Sequence, residues 1–232
     1  MINIADLTFQ WRPKGPGILD IERLSIADGE RVFLHGPSGS GKTSLLNLLG
    51  GIVLPQRGRV ELLGQDITPL SSAGRDRFRA DHIGLIFQVF NLLPYLSLIE
   101  NVALPCLFST RRRRRAIRAD GTVAAGAWRL LEEMDIPPAR FAGQPVRDLS
   151  TGQQQRVAAA RALIGDPEII IADEPTSALD GVNTELFLDL IIQELQQRPT
   201  TLVFVSHDER LAERFDRTVS MSSLQPQQGA TS

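Results

Sequence analysis

Residues 36–43 read Gly36-Pro37-Ser38-Gly39-Ser40-Gly41-Lys42-Thr43, and they follow the apolar run Val32-Phe33-Leu34. The pattern G-x-x-x-x-G-K-[ST] between a strand and a helix is typical of a loop whose backbone N–H groups wrap a chain of phosphates. The helix that begins at its far end adds the positive end of its dipole. The sequence therefore predicts a nucleotide site, with Lys42 against the β- and γ-phosphates and the Thr43 hydroxyl on Mg²⁺.

The bulk composition is that of an ordinary globular protein of 232 residues with a formal net charge of −2. This length suits one α/β domain with a full core. The small net charge gives no global attraction to nucleic acid or membrane, and we expect no nucleic-acid partner. The single cysteine, Cys106, excludes an intramolecular disulfide and agrees with a reducing compartment. We expect neither a signal peptide at the N-terminus nor a membrane-spanning segment.

Apolar patterning predicts the elements around the loop. We expect strands at 2–9, 18–26, 31–35, 58–63, 83–87, 169–172 and 201–205, and helices at 44–50 and 185–196. Between residues 89 and 160 the pattern turns helical, with proline and glycine breaks. Strands that alternate with helices around a phosphate loop predict an α/β fold with a mostly parallel sheet, here interrupted by a helical subdomain.

Two acids, Asp173 and Glu174, end the predicted strand Ile169–Ala172. A buried strand can place both carboxylates beside the phosphate loop, where Asp173 would hold Mg²⁺ through water. Glu174 would then orient and deprotonate the attacking water of a phosphoryl transfer. The alternative interpretation is a strand end capped by two solvated acids.

His207 and Ser150 occupy comparable positions at element ends. His207 follows the predicted strand Thr201–Val205, from which it could donate a hydrogen bond to a γ-phosphate. Ser150 precedes a long helical run and is a good N-cap, which is one interpretation. The other is a second anion site, formed by Ser150 and the adjacent N–H groups. If that site cannot meet the phosphate loop within one subunit, it must serve a partner's nucleotide.

Taken together, these motifs resemble the ATP-binding cassette (ABC) family of nucleotide-binding domains over residues 1 to about 220. The resemblance implies a P-loop NTPase with a RecA-like core, an antiparallel β subdomain and an inserted α-helical subdomain at about 89–160. It implies one domain over residues 1–222. The tail at 223–232 has too little apolar content to fold, and we expect it to be disordered. In chain order the motifs are Walker A at Lys42 and Thr43, the Q-loop at Gln88, the signature at Ser150–Gln153, Walker B at Asp173 and Glu174, the D-loop at Ser177–Asp180, and the switch histidine at His207.

The same resemblance implies ATP and Mg²⁺ as cofactors and a homodimer that sandwiches two ATP molecules head-to-tail. The implied catalytic residues are Glu174, His207 and Lys42, and the implied metal ligands are Thr43, Gln88 and Asp173. The implied nucleotide-binding residues are Gly36, Pro37, Ser38, Gly39, Ser40, Gly41, Lys42, Thr43, Ser44, Trp11, Gln88, Ser150, Thr151, Gly152, Gln153 and Asp180. Trp11 falls where the family stacks an aromatic ring on adenine, although Phe9 is an alternative.

The stretch Phe87–Val102 narrows the resemblance to the lipoprotein-releasing and macrolide-efflux ATPases. This implies a cytoplasmic ATPase subunit, peripheral on the inner face of the membrane, that drives a permease with few membrane helices. The apolar segment Leu85–Phe108 would then be part core and part cleft for a permease helix. Two alternatives stay open: an ABC ATPase of the cell-division type that signals through a membrane protein, and a soluble ABC ATPase. The signature and His207 disfavour a P-loop small-molecule kinase.

Two features depart from the plain pattern. Thr151 replaces the usual first glycine of the signature, so we expect a functional site with an altered rate unless its side chain points away. Arg111–Arg115 is a run of five arginines. It is either a solvated helix face or a contact for anionic lipid headgroups, with nucleic acid the weaker third option.

Overall fold

The computed structural model describes residues 1–12, 15–141, 144–196 and 198–224. The strands are β1 Ile2–Phe9, β2 Leu19–Ile26, β3 Arg31–His35, β4 Arg57–Leu62, β5 Gln65–Asp66, β6 Ile83–Ile86, β7 Ile169–Asp173, β8 Thr201–Val205 and β9 Arg217–Ser220. The α-helices are α1 Lys42–Leu49, α2 Ser72–His82, α3 Leu98–Ala103, α4 Pro105–Phe108, α5 Thr110–Asp120, α6 Val123–Glu133, α7 Thr151–Leu163, α8 Gly181–Gln196 and α9 Met221–Leu224. The chain forms two compact units: Met1–Asp76 with the described residues after Thr200, and Arg77–Thr200.

The first unit contains an antiparallel sheet and a set of parallel strands. The antiparallel sheet has the order β2-β1-β4-β5, and β1 alternates buried and partly exposed residues along most of its length, as a half-buried strand should. In the parallel set, β3 lies between β8 and β9. All five residues of β8 are buried, which matches its wholly apolar sequence apart from Thr201.

The second unit combines a parallel strand pair with most of the helices. β6 pairs with β7, in the register Ile83↔Ile169 to Ile86↔Ala172. Gly84 lets β6 approach α7 closely, because a Cβ there would lie 2.3 Å from the Ala162 carbonyl oxygen. The helices α3 to α7 occupy the region predicted as a helical subdomain, and α6 and α7 both contact α3.

Four elements were not predicted from the sequence: β5, α2, β9 and α9. The helix α2 is rich in arginine and aspartate, and Phe78 is its single buried residue, so it carries no apolar stripe. Residues 223 and 224 of the predicted tail belong to α9, and the rest of that tail lies outside the described residues.

Within the described ranges, no helix has the length and apolar character that a bilayer crossing requires.

Candidate nucleotide-binding site

The phosphate loop connects β3 to α1 and depends on glycines at two positions. Gly41 has a φ of +94°, and a Cβ there would lie 2.6 Å from the Leu19 side chain. Gly39 has a φ of +81° but faces open space, with nothing within 4 Å of an added Cβ. Both conformations are ones that L side chains rarely adopt, so the backbone path of the loop requires glycine.

Lys42 places its ammonium group against this loop. Its Nζ donates to the carbonyl oxygens of Gly36 at 2.7 Å and Pro37 at 3.2 Å. These acceptors are neutral, and a phosphate oxygen would bind the same ammonium more strongly because both partners would be charged. An anion that enters the loop can therefore replace these carbonyl oxygens as the partner of the Lys42 ammonium.

The N-terminus of α1 also suits an anion. Its N-cap is Gly41, no hydrogen bond from a described side chain caps the helix, and its first turn contains no acid. The free N–H groups and the positive dipole end are thus left for a ligand. The open space at Gly39, the Lys42 ammonium and the exposed Thr43 add to this helix end. Together they fit a nucleoside triphosphate with its Mg²⁺.

Trp11 and Phe9 differ in exposure, which decides between them as adenine-stacking candidates. The Trp11 side chain is 56% exposed and its Nε1 donates to the Ser44 hydroxyl at 3.1 Å. Phe9 is 4% exposed and meets Trp11 edge-on, with ring centroids 5.1 Å apart. Of these two rings only Trp11 offers a face to a base, and the bond to Ser44 ties it to the phosphate-loop helix.

His207 leaves the sheet at the same edge as the phosphate loop. β3 and β8 are parallel with Leu34 opposite Val205, so Gly36 and His207 each lie two residues beyond a paired position. The exposed His207 is preceded by buried Ser206, whose hydroxyl accepts a hydrogen bond from the Asp208 N–H at 3.1 Å. The structure thus brings His207 to the edge predicted from the sequence.

Gln88 and the two acids share an edge in the second unit by the same geometry. Ile86 lies opposite Ala172, so Gln88 and Glu174 each follow their strand by two residues. Glu174 has a φ of +46°, an unusual conformation for a residue with a side chain. Such strain persists where the surroundings impose it and is common at functional sites. This supports a functional interpretation of Glu174 over a solvated strand end.

The signature residues begin α7. Ser150 and Gln153 form a capping box: the Gln153 N–H donates to the Ser150 hydroxyl, and the Ser150 N–H donates to the Gln153 side chain at 2.9 Å. The N-cap interpretation of Ser150 is therefore confirmed. Thr151 is exposed, and a Cβ on Gly152 would meet only Leu179, at an ordinary 3.5 Å. Packing among the described residues gives no reason for glycine at 152.

Asp180 of the D-loop has a local structural role. Its carboxylate accepts hydrogen bonds from the backbone N–H of Asn183 at 2.8 Å and from the Asn183 side chain at 3.0 Å. These bonds, the backbone one first, lower the pKa of Asp180. The residue before it, Leu179, faces Gly152, so the D-loop and the signature are neighbours within this unit.

Sequence reasoning missed two residues that hold the segment after Gln88. Arg161 of α7 donates to the carbonyl oxygens of Phe90 and Asn91, each at 2.6 Å. Asn101 is fully buried, accepts from the Leu93 N–H at 2.8 Å, and donates to the carbonyl oxygens of Leu93, Leu96 and Ser97. The one available signal was an arginine inside the alanine-rich run of α7, which patterning alone assigns to a core.

Comparison with known proteins agrees with these motifs. Residues 19–177 match the family described as ABC transporter. The chain is 43% identical over 224 residues to the lipoprotein-releasing system ATP-binding protein LolD of Syntrophotalea carbinolica, covering 96% of this chain and 95% of the relative. It is 43% identical over 199 residues to the macrolide export ATP-binding/permease protein MacB of Rhodopirellula baltica, covering 85% of this chain and 28% of that protein.

Some relatives are longer than this chain. An uncharacterized ABC transporter ATP-binding protein of Mycobacterium bovis is 38% identical over 229 residues, which cover 97% of this chain and 66% of the relative. The chain thus spans just under two thirds of the length of that relative.

A solved structure has the same fold. The ATP-binding cassette MJ0796, in a dimeric post-hydrolysis state bound to ADP and Pi, superposes with a TM-score of 0.83 at 35% identity, covering 95% of this chain and 94% of that one. The predicted ABC ATPase fold class is therefore confirmed. The chain belongs to the ABC transporter family of ATPases, and it is similar to the ATP-binding proteins LolD and MacB of the lipoprotein-releasing and macrolide-export systems.

Proposed function

We propose that this chain binds ATP with Mg²⁺ and hydrolyses it to drive a membrane permease. The phosphate loop carries the proposal, because its glycine-dependent path, its uncapped helix end and its Lys42 ammonium together suit a polyphosphate. Thr43, Gln88 and Asp173 would hold Mg²⁺, which when bound neutralises charge on the β- and γ-oxygens.

Hydrolysis also needs residues that position the attacking water and stabilise the negative charge that develops in the transition state. Glu174 is the proposed base that orients the water, since it directly follows a buried strand and has a φ of +46°. Lys42 and His207 are the proposed donors to the γ-phosphate. The register of β3 and β8 supports this, because Gly36, to which Lys42 is bonded, and His207 follow the same residue pair. Trp11 is the proposed adenine platform, because its ring is exposed while that of Phe9 is buried.

We infer a head-to-tail homodimer in which each signature covers the nucleotide of the other subunit. Gly152 supports this, because no packing requirement among the described residues selects glycine there. The capping box keeps the Ser150 hydroxyl at the helix N-terminus, where an anion is favoured. That the similar cassette MJ0796 is dimeric when bound to ADP and Pi supports a dimer for this chain.

The membrane partner is proposed to dock on the segment after Gln88. Val89 and Tyr95 have large, mostly apolar side chains, yet they are 73% and 76% exposed. The names of the LolD and MacB relatives support a permease of the lipoprotein-releasing or export type, with this subunit peripheral on the cytoplasmic face. We also propose a contact between the arginine-rich helix α5 and anionic lipid headgroups.

Nucleotide-dependent dimerisation tests the central part of this proposal. A Glu174→Gln variant should bind ATP without hydrolysing it and shift from monomer to dimer in size-exclusion chromatography with light scattering. The dimer should be absent with ADP and in a Lys42→Ala/Glu174→Gln control. If Glu174→Gln stays monomeric with ATP while Thr151→Gly/Glu174→Gln dimerises, Thr151 impairs the signature. Monomers in both cases would contradict the proposed dimer.

A further inference from the structure

The arginine run lies on α5 and divides between its two faces. On the inner face, Arg112 is 2% exposed and donates to the carbonyl oxygens of Ile164 at 2.7 Å and Ala162 at 2.6 Å. Burial lowers the pKa of the Arg112 guanidinium to about 10. These carbonyls lie at the C-terminal end of α7, where a cation is favoured. Arg112 therefore cross-links α5 to α7, and because it is buried no external partner can reach it.

Two further arginines are also engaged within the protein. Arg111 and Arg115 both bind the Glu168 carboxylate, at 2.5 and 2.7 Å, and His82 approaches its other oxygen at 3.0 Å. Burial alone would raise the pKa of Glu168, but hydrogen bonds from His82, Arg111 and Arg115 lower it well below its usual range. Three of the five arginines in the run Arg111–Arg115 are therefore satisfied internally.

The opposite side of α5 is different, and we define it as the outer face: Arg113, Arg114, Ile117 and Arg118. At helical spacing these residues lie away from the buried Arg112 and Ala116. Arg118 stands at the edge of this face, where it also lines a cavity with Arg115, Asp166 and Glu168. Among the described residues, none forms a salt bridge with Arg113, Arg114 or Arg118. The centre of this face is apolar, since Ile117 is 41% exposed.

Two large apolar side chains stand directly before this helix. Leu107 and Phe108 end α4 and are 77% and 76% exposed. Exposed apolar groups beside unpaired cations are the combination with which interfacial helices bind anionic bilayers. The net charge of the chain is −2, so an attraction to anionic lipid must come from a local cluster such as this one.

We propose that the outer face of α5, together with Leu107 and Phe108, forms a surface that binds anionic lipid. The three arginines contact the headgroups, and Leu107 and Phe108 enter the boundary between headgroups and acyl chains. This deepens the proposed membrane location of the subunit, on which it rests, but requires neither nucleotide nor permease. It also assigns the lipid contact to Arg113, Arg114 and Arg118 and removes Arg111, Arg112 and Arg115 from it.

Vesicle co-sedimentation of the full chain, without permease, tests the surface. The chain should pellet with phosphatidylcholine vesicles that contain phosphatidylglycerol, and much less with phosphatidylcholine alone. Each basic residue near an anionic surface contributes about fivefold in partitioning, so Arg113→Gln/Arg114→Gln/Arg118→Gln should lose about 100-fold. The matched control, Arg57→Gln/Arg59→Gln/Arg147→Gln, removes the same charge from exposed positions elsewhere and should bind as the parent does.

A second variant separates the apolar part from the charges. Leu107→Ser/Phe108→Ser should weaken binding and make the residual binding more sensitive to salt, because exposed charges are screened and inserted apolar groups are not. Equal binding by the outer-face triple variant and the parent, or an equal loss in the control, would overturn the proposal. ATP-dependent dimerisation of the triple variant in the Glu174→Gln background should be intact, so failure of lipid binding is distinguishable from failure of the proposed ATPase.

Discussion

The phosphate loop and the segment after Gln88 are both irregular loops that follow a parallel strand, but they are held in opposite ways. The phosphate loop is organised from within, by its own glycines and by Lys42 bonded to the carbonyls of Gly36 and Pro37. The segment at 89–97 is organised from outside, by Asn101 on α3 and Arg161 on α7. A self-organised loop can be recognised in the sequence, whereas an externally held one cannot.

The largest effect is expected at the self-organised loop. Lys42→Ala removes the ammonium that is bonded to this loop, so ATP affinity should fall at least about 100-fold and hydrolysis still further. The melting temperature should be nearly unchanged, because the lysine is bonded only to loop carbonyls. Titration of a fluorescent ATP analogue with parallel calorimetry checks both. A large loss of stability would show that the loop needs its lysine to fold.

The next largest effect is expected at Asn101. Asn101→Ala leaves four backbone partners of a fully buried side chain without their bonds, so we expect a loss of about 3 kcal/mol in the free energy of unfolding. Amide exchange at 90–97 should accelerate, while ATP affinity should stay close to that of the parent. If ATP affinity falls as far as in Lys42→Ala, the two loops are not independent and the comparison fails.

The same contrast explains how far the sequence could predict the structure. The phosphate loop, the strand ends at Asp173 and Glu174, and His207 are local patterns next to apolar strands, so their placement in each unit followed from neighbouring residues. The role of Asn101 depends on which carbonyls α3 meets after folding, and no spacing in the sequence records that. The arginine run shows the same limit, since only tertiary packing separates Arg112, bonded to the end of α7, from Arg113.

A smaller effect is expected at Arg161. Arg161→Met keeps the aliphatic length but removes both bonds to the carbonyls of Phe90 and Asn91, which should cost about 2 kcal/mol and loosen the same segment. Arg156→Met is a matched control on the same helix. Its partner Asp135 is 76% exposed, so that change should cost less than about 1 kcal/mol. Chemical denaturation of both variants decides, and equal losses would remove Arg161 from the support of the segment.

The smallest effect is expected where neither loop is touched. Glu194 on α8 is 4% exposed and lies near Glu133 and Arg129 of α6 and near Arg198. Burial, and next the carboxyl of Glu133, raise the pKa of Glu194 to about 7 from a reference value of 4.5. The folded state therefore keeps this proton longer than the unfolded state, and stability is lost as the pH rises through this window.

Glu194→Gln removes the ionisation, so it should stabilise the protein by about 1–2 kcal/mol at pH 8 and make little difference at pH 4. Glu132→Gln, at an exposed position of α6, is the control and should show no such pH dependence. Denaturation curves across this range measure the difference directly. A Glu194→Gln variant that is less stable than the parent at pH 8 would mean that the ionised carboxylate is held by Arg129 and Arg198. In that case the negative charge of Glu194 would stabilise the packing of α6 against α8.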